Sequence, residues 1–234
     1  MSTSIIITGS SSGIGRAVAL RLAHWDGVQV LTGRSRERLE KTRTQVEEKG
    51  GKAVIFPCDL SEPSAVEDLV AFAETHEPVY AVVLSAGTGT YGMIEDQPPS
   101  EWSRMIEVNL MGLYYLVNSS LRRMVNRKQG HFVFINSVAG LKSFPGNSAY
   151  ASAKHGARGL AETLRLEARN HNIKVTSIFP GATDTEWWDK QDGEFPRERM
   201  LRAEDVAATV DFSLTFGARG VIEEIVLRDL GGDF

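Results

Sequence analysis

Ile5-Ile-Ile-Thr-Gly-Ser-Ser-Ser-Gly-Ile-Gly15 is the stretch whose reading decides the fold. Its β-branched run is too short for a helix, and the residues after it place Ile14, Ala17, Val18 and Leu22 at helical spacing. The order is strand, glycine turn, helix. In that setting glycines let the backbone approach a pyrophosphate closely, and the helix's free N–H groups and positive dipole end attract its charge. Gly9, Ser11, Ser12, Gly13, Ile14 and Gly15 are therefore the candidate cradle. A flexible turn would use the same residues, and the flanking strand and helix are what favour the phosphate. Gly9-Ser-Ser-Ser-Gly13 also fits the Gly-x-Ser-x-Gly nucleophile elbow of hydrolases, with Ser11 as nucleophile. An elbow normally caps a central strand reached after several others, and only a handful of residues precede this one.

Outward from that turn, strands and helices alternate. Val28-Gln-Val-Leu-Thr32, Ala53-Val-Ile-Phe56, Tyr80-Ala-Val-Val-Leu84, His131-Phe-Val-Phe-Ile135, Ile173-Lys-Val-Thr-Ser-Ile-Phe179 and Ile225-Val-Leu227 predict further strands, the last at an edge. Helical patterns run over 36–49, 101–125, 149–170 and 203–216, and Ser64-Ala-Val-Glu67 has the form of a capping box opening another helix. Such alternation is the pattern of an α/β fold with a parallel sheet. No linker or repeat divides the chain, which predicts one domain over 1–234.

The second strand ends at Gly33-Arg-Ser35, about 20 residues past the glycines, where an acidic residue would bind the ribose 2′-hydroxyl of NAD. Gly33 leaves room instead, Arg34 offers a forked cation and Ser35 a neutral hydrogen bond, a set suited to a 2′-phosphate. As a run, Arg34, Arg36 and Arg38 would also serve as a solvated helix start. Asp59 and Leu60 follow the third strand, where an adenine ring would lie, though Asp59 equally suits a turn or cap. Ser85-Ala-Gly87, after the fourth, has little bulk, so a ribose and nicotinamide could lie against its backbone. Pro180-Gly181 breaks the sixth strand, and Thr183 and Thr185 bring hydroxyls for a carboxamide or phosphate.

Tyr150-Ala-Ser-Ala-Lys154 carries the chemistry. Residues four apart share a helix face, so a phenol and an ammonium project side by side, and a neighbouring cation favours the phenolate. That pairing suits general acid–base work, with the Ser137 hydroxyl beyond the carboxyl end of a buried strand. Asn109 stands inside a helical pattern although its amide competes for backbone hydrogen bonds. Between 184 and 202 no periodicity is clear, and Trp187, Trp188 and Phe195 sit among charges, which predicts a substrate lid.

Composition narrows the classes. The chain has 234 residues, 42% hydrophobic and 24% charged, with a net charge of −4, so nothing recommends a nucleic-acid or membrane partner and small molecules are expected. Cys58 is its one cysteine and the histidines lack ligand spacing, so neither a disulfide nor a metal is expected. The absence of a signal-like start or a long apolar run leads to a cytoplasmic expectation.

Taken together, Thr8-Gly9, Gly13-Ile-Gly15, Asp59, Ser85-Ala-Gly87, Asn109, Ser137, Tyr150, Lys154 and Pro180-Gly181 resemble the short-chain dehydrogenase/reductase family in order and spacing over nearly the whole chain. The resemblance implies a Rossmann-like, doubly wound parallel sheet of about seven strands with helices on both faces. It implies that Tyr150 protonates the substrate oxygen as hydride arrives from the nicotinamide, while Ser137 hydrogen-bonds that oxygen. Lys154 would bind the nicotinamide ribose and lower the phenol's pKa, and Asn109 would hold its helix open and support a water relay to Lys154. Ser85 departs from the asparagine usual there. The expected activity is an NADP(H)-preferring carbonyl reductase or alcohol dehydrogenase on a small carbonyl or alcohol. A homodimer or homotetramer is expected through the helices near 101–125 and 149–170, whose small residues (Ala151, Ala153, Gly156, Ala157, Gly159, Ala161) permit close approach. Trp187 and Trp188 suggest a ring-bearing or apolar substrate, and Arg122, Arg123, Arg127 and Lys128 an acidic carrier. The alternative from another class is a non-catalytic nucleotide-binding regulator on the same fold.

Overall fold

The computed structural model describes residues 2–191, 194–217 and 219–232. Its sheet is built on β1 (Ser4–Thr8), all five residues of which are buried. Side chains alternate across a strand, so Ile5 and Ile7 join one apolar layer and Ile6 the other. In chain order follow α1 (Gly13–Arg21), β2 (Val28–Gly33), α2 (Arg36–Glu48), β3 (Lys52–Pro57), α3 (Pro63–His76), β4 (Val79–Leu84), α4 (Pro99–Ile106), α5 (Gly112–Arg127), β5 (Gly130–Ile135), α6 (Ser148–Ala168) and β6 (Ile173–Pro180). The short β7 (Thr183–Asp184) and β8 (Leu201–Arg202) pair with each other, before α7 (Ala203–Thr215) and β9 (Glu224–Leu227).

Seven parallel strands form one sheet in the order β3-β2-β1-β4-β5-β6-β9. Ala17, Leu39 and Val206 from α1, α2 and α7 cover one face, and Val66, Leu116 and Ala157 from α3, α5 and α6 cover the other. This is the Rossmann-like α/β fold that the resemblance implies. Each fully buried Phe, Leu or Ile contributes roughly 1.5–3 kcal/mol, so layers holding Phe132, Phe134 and Leu31 outweigh helix propensity in fixing the architecture. The chain winds outward from β1 to β3 and then resumes at β4 on the other side of β1. That reversal opens a crevice at the carboxyl ends of β1 and β4.

Three local expectations need correction. Ser64 and Glu67 form no capping box: α3 starts at Pro63, whose fixed φ suits a first helical position, and its N-cap Glu62 makes no side-chain cap. The Glu67 carboxylate instead accepts from Ser119 Oγ at 2.6 Å and Arg123 at 2.7 Å, tying α3 to α5. The helical pattern at 101–125 is two helices joined by a π-helical turn, Glu107–Met111, centred on Asn109. Finally, most small residues of α6 pack inside the chain. Ala151, Ala153, Ala157 and Ala161 are buried, and a Cβ on Gly156 would lie 2.8 Å from Leu110 Cδ2, so of that stripe Gly159, with nothing within 4 Å of its Cβ position, is the residue that leaves room for a partner.

Candidate active site

The turn after β1 leaves no room for a side chain at Gly9 or Gly15. A Cβ on Gly15 would sit 2.4 Å from the Gly9 carbonyl oxygen, and one on Gly9 would sit 2.9 Å from Ala86 Cα. Gly9 (φ +66°) and Gly13 (φ +50°) also hold left-handed backbone that L side chains avoid. Ser12 precedes α1 without capping it, so the helix's first N–H groups keep their capacity for an anion. Thr8 locks this turn to β4: its hydroxyl accepts from the Ser85 and Ala86 amides at 2.9 Å each and donates to Val83 O at 3.2 Å. Ser85 therefore stands on a backbone fixed from the neighbouring strand.

Beside it, Gly33 ends β2, and a Cβ there would meet side chains and no backbone, the Ser11 hydroxyl at 3.2 Å, Ser11 Cβ at 3.6 Å and Leu39 Cδ2 at 3.8 Å. Arg34 and Arg38 line the same cavity, and no carboxylate follows Gly33 directly. The Ser35 oxygen accepts from the Arg38 amide at 3.4 Å as the cap of α2. Asp59 serves as a turn residue, accepting from the Ser61 amide at 3.1 Å and hydroxyl at 2.7 Å. Burial alone would raise its pKa, but those bonds with Arg34 and Arg104 nearby hold it below the usual range. Leu60 is buried behind Asp59 against Gly112.

On the other side of the crevice, β5 and α6 assemble the chemical groups. Lys154 Nζ donates to Ile135 O at 3.0 Å, and Asn136 Nδ2 donates to Lys154 O at 3.1 Å, so the end of the strand grips the helix. Ser137 hydrogen-bonds Tyr150, and its oxygen also accepts from the Ala139 amide at 3.1 Å. The expectation that Lys154 acidifies the phenol is not met here. Burial pushes Tyr150 up to about 12, against the pull of its Ser137 bond, and burial pushes Lys154 down to about 8. The ammonium faces a carbonyl and lies 5.5 Å from the Tyr150 ring centroid, so desolvation outweighs any mutual help. Asn109 lies behind the cavity wall, where its amide donates to Thr88 O at 2.8 Å and Met105 O at 3.0 Å and accepts from the Thr88 amide at 2.9 Å. These bonds tie the π-helical turn to the loop after β4.

Pro180, Gly181, Thr183 and Thr185 follow β6 along the cavity, with Thr183 Oγ1 donating to Gly181 O at 3.1 Å. The 184–202 stretch forms the remaining wall. β7 and β8 close its base, and Arg197 bonds Asp184 at 2.6 Å and Asp189 at 2.8 Å. Asp192 and Gly193 of this stretch lie outside the described residues. The whole cavity measures about 1350 Å³ and takes in every expected site residue except Asn109. That exceeds the roughly 300–1,000 Å³ of ordinary small-molecule pockets, so a dinucleotide and a second molecule fit together. The closed glycine turn, the uncapped helix and the small Ser85-Ala-Gly87 floor are all shaped for such a cofactor.

A short chain dehydrogenase family model matches residues 3–194. The chain belongs to the short-chain dehydrogenase family. It is similar to a sepiapterin reductase of Chlorobaculum tepidum, 35% identical across 98% of this chain and 97% of that one. Among solved structures it resembles an alcohol dehydrogenase of the archaeon Thermococcus sibiricus complexed with 5-hydroxy-NADP, at 29% identity and TM-score 0.89, covering 98% of this chain and 97% of that chain. An actinorhodin polyketide ketoreductase variant with NADPH aligns at 27% identity and TM-score 0.87, covering 97% and 95%. The protein is thus an NAD(P)-dependent oxidoreductase.

Sequence reasoning missed several residues of this dehydrogenase's cavity. Tyr91, Arg104, Phe144 and Glu186 line it, and Asn136 anchors Lys154. Asn136 carried one signal, an amide at a strand end directly before Ser137. The others reach the site through tertiary packing and left none. The basic residues read as a carrier surface have partners at home: Arg123 pairs with Glu67 at 2.7 Å, Arg127 with Glu74 at 2.9 Å, and Arg122 bonds Asn118 at 2.6 Å. Among the described residues no cluster has metal-site form and no helix is long and apolar enough to cross a membrane.

Proposed function

We propose that this dehydrogenase is an NADP(H)-preferring carbonyl reductase with Tyr150 as its proton donor. The observation that carries the reading is the meeting of the glycine cradle, Arg34 and the Ser137–Tyr150–Lys154 group in one cavity. Bound there, NADPH would supply the hydride. Tyr150 would give its proton to the substrate oxygen, and Ser137 would donate to the same oxygen. The Tyr150 phenol, pushed up to about 12 by burial, carries its proton at neutral pH as an ordinary phenol does. Lys154, buried and fixed on Ile135, would hold a ribose hydroxyl, and the 184–202 wall would act as a lid. The 2′-phosphate reading rests on Gly33, which carries no charge, and on two arginines whose forks match phosphate oxygens. Relatives solved with 5-hydroxy-NADP and NADPH support it.

The whole described chain serves this one cavity, and we take it as a single domain. We expect it to assemble as a homodimer or homotetramer in the cytoplasm. Tyr114 and Leu166, exposed on α5 and α6, are apolar surface that assembly would cover, and a monomer mass by light scattering would reject it. The function is tested by NADPH oxidation with sepiapterin, aldehydes, ketones and 3-oxoacyl thioesters. Consumption of NADPH with stoichiometric alcohol formation is expected. Binding of NADPH with no turnover on any carbonyl would favour the regulator reading.

A further inference from the structure

The substrate side of the cavity is built from rings. Tyr91 packs edge-on against Trp187 with centroids 5.7 Å apart at 64°, and Trp187 against Trp188 at 4.7 Å and 85°. Trp188 tilts against Phe195 at 4.6 Å. All four line the cavity that holds Tyr150. Gly89 sets how near they come, because a Cβ there would lie 3.2 Å from Trp187 Cζ2 and 3.4 Å from Tyr150 Cδ2. The indole of Trp187 and the reacting phenol's ring therefore both pack on Gly89, and a methyl group there would already crowd them. These rings are held in place. Trp188 Nε1 donates to Thr183 O at 2.9 Å, and Arg197 donates to Thr185 O at 3.1 Å, fixing the turn that carries Trp187. Tyr91 stays 49% exposed despite two ring neighbours, so it has surface to offer a ligand.

Resting on the Tyr150 reading above, we propose that Trp187 and Tyr91 select carbonyl substrates whose planar ring is attached at, or one bond from, the reacting carbon. Trp187 and the Tyr150 ring both close on Gly89 and, with Tyr91, line the same cavity, so a substituent on a carbonyl at Tyr150 lies against the aromatic wall. A flat ring there gains an edge-to-face contact beyond the apolar area it buries, whereas an alkyl chain of equal carbon count gains the area alone. The competing account is that the four rings only pack on one another and hold the wall closed.

The test compares kcat/KM with NADPH for acetophenone and 2-octanone, carbon-matched methyl ketones, in wild type and variants. Intrinsic reactivity cancels when the aryl-to-alkyl ratio is compared between proteins. Trp187→Leu should lower that ratio roughly two- to tenfold, the worth of one aromatic contact. Trp187→Phe should restore most of it, and Tyr91→Leu, in a half-exposed position safe for folding, should lower it by a smaller factor. A ratio unchanged in both Leu variants, whether or not Tm falls, means packing only and overturns the proposal. If neither ketone consumes NADPH, the Tyr150 reading is judged separately on the wider carbonyl set, and selection is then read by calorimetric titration of both ketones into the NADPH complex. Tighter acetophenone binding that Trp187→Leu removes sustains ring selection, and equal affinities sink it.

Discussion

The cavity has two halves made of different material. The cofactor half, around Gly9, Gly13 and Gly15, is backbone: what matters there is the absence of atoms, since a Cβ on Gly15 would collide with the Gly9 carbonyl. The chemical half, around Ser137, Tyr150 and Lys154, is side chain, and each group is held by a further contact, Lys154 by Ile135 and Asn136, Ser137 by Ala139. Sterics fixes the glycine turn of the first half. The second must meet the cost of burying a phenol and an ammonium, and that cost shows in their displaced pKa values.

The largest effects should separate the halves. Tyr150→Phe keeps the ring and removes the proton donor, so turnover should fall by about 10²–10⁴-fold while NADPH binding measured by fluorescence stays intact. Gly15→Ala should do the reverse, abolishing NADPH binding while the chemical groups remain in place, because its Cβ would meet backbone that cannot swing aside. Ser11→Ala should change turnover little. Retained carbonyl reduction in Tyr150→Phe, or esterase activity dependent on Ser11, would break the division.

A smaller effect probes the cofactor half where it does use side chains. A hydrogen bond to a charged group is worth about 1.5–3 kcal/mol, so NADPH should be preferred over NADH by roughly ten- to a hundredfold. Gly33→Asp with Arg34→Ser should reverse the order, since the carboxylate repels a 2′-phosphate and accepts from a 2′-hydroxyl. The geometry allows it, because a Cβ on Gly33 meets only the side chains of Ser11 and Leu39, with the rotatable Ser11 hydroxyl its one tight contact. Equal kcat/KM values for the two cofactors in wild type would make Arg34 a solvated helix-start residue.

The burial cost of the chemical half should appear as a pH dependence of stability. Lys154 loses its proton at about 8 in the folded chain against an ordinary 10.5, so between those values the unfolded chain holds more protons and stability rises with pH. Tyr150 acts oppositely. It keeps its proton to about 12 against an ordinary 10, so above 10 the folded chain holds more and stability falls. Lys154→Met should therefore be more stable than wild type at pH 7, on the order of 1–2 kcal/mol by urea unfolding, with the gain shrinking toward pH 10. A gain that does not change with pH would show that Lys154 is not desolvated.

These differences also decide what the sequence could disclose. The glycine turn and the strands were legible because their spacing follows from local sterics and period, and Tyr150 and Lys154 because one helical turn unites them. The acidity of Tyr150 was not legible, since it depends on where Lys154 points, and that is set by Ile135 in another element. The start of α3 was misread because Pro63 and a tertiary partner for Glu67 overrode a local capping pattern. The 184–202 wall gave only its aromatic content. Its form depends on Arg197 reaching back to Asp184 and Asp189, for which no periodicity exists.

The smallest effect concerns a place where the wall touches the cofactor half by charge. Glu186 lies 3.1 Å from Arg16 on α1 and 3.8 Å from Arg38 on α2, on the rim where a phosphate would lie. All three side chains are about half exposed, so the pairs are screened and should add little to stability. Their effect on the cofactor follows from sign alone. A carboxylate on this rim repels a 2′-phosphate and occupies a guanidinium that would otherwise face it, so Glu186→Gln should lower the KM for NADPH by less than about threefold and leave that for NADH unchanged. Raising salt to about 0.5 M should erase the difference, because screening then acts within a few ångströms. A KM for NADPH that rises instead would mean that Glu186 holds the wall down on the cofactor, and that the two halves are joined by this clasp.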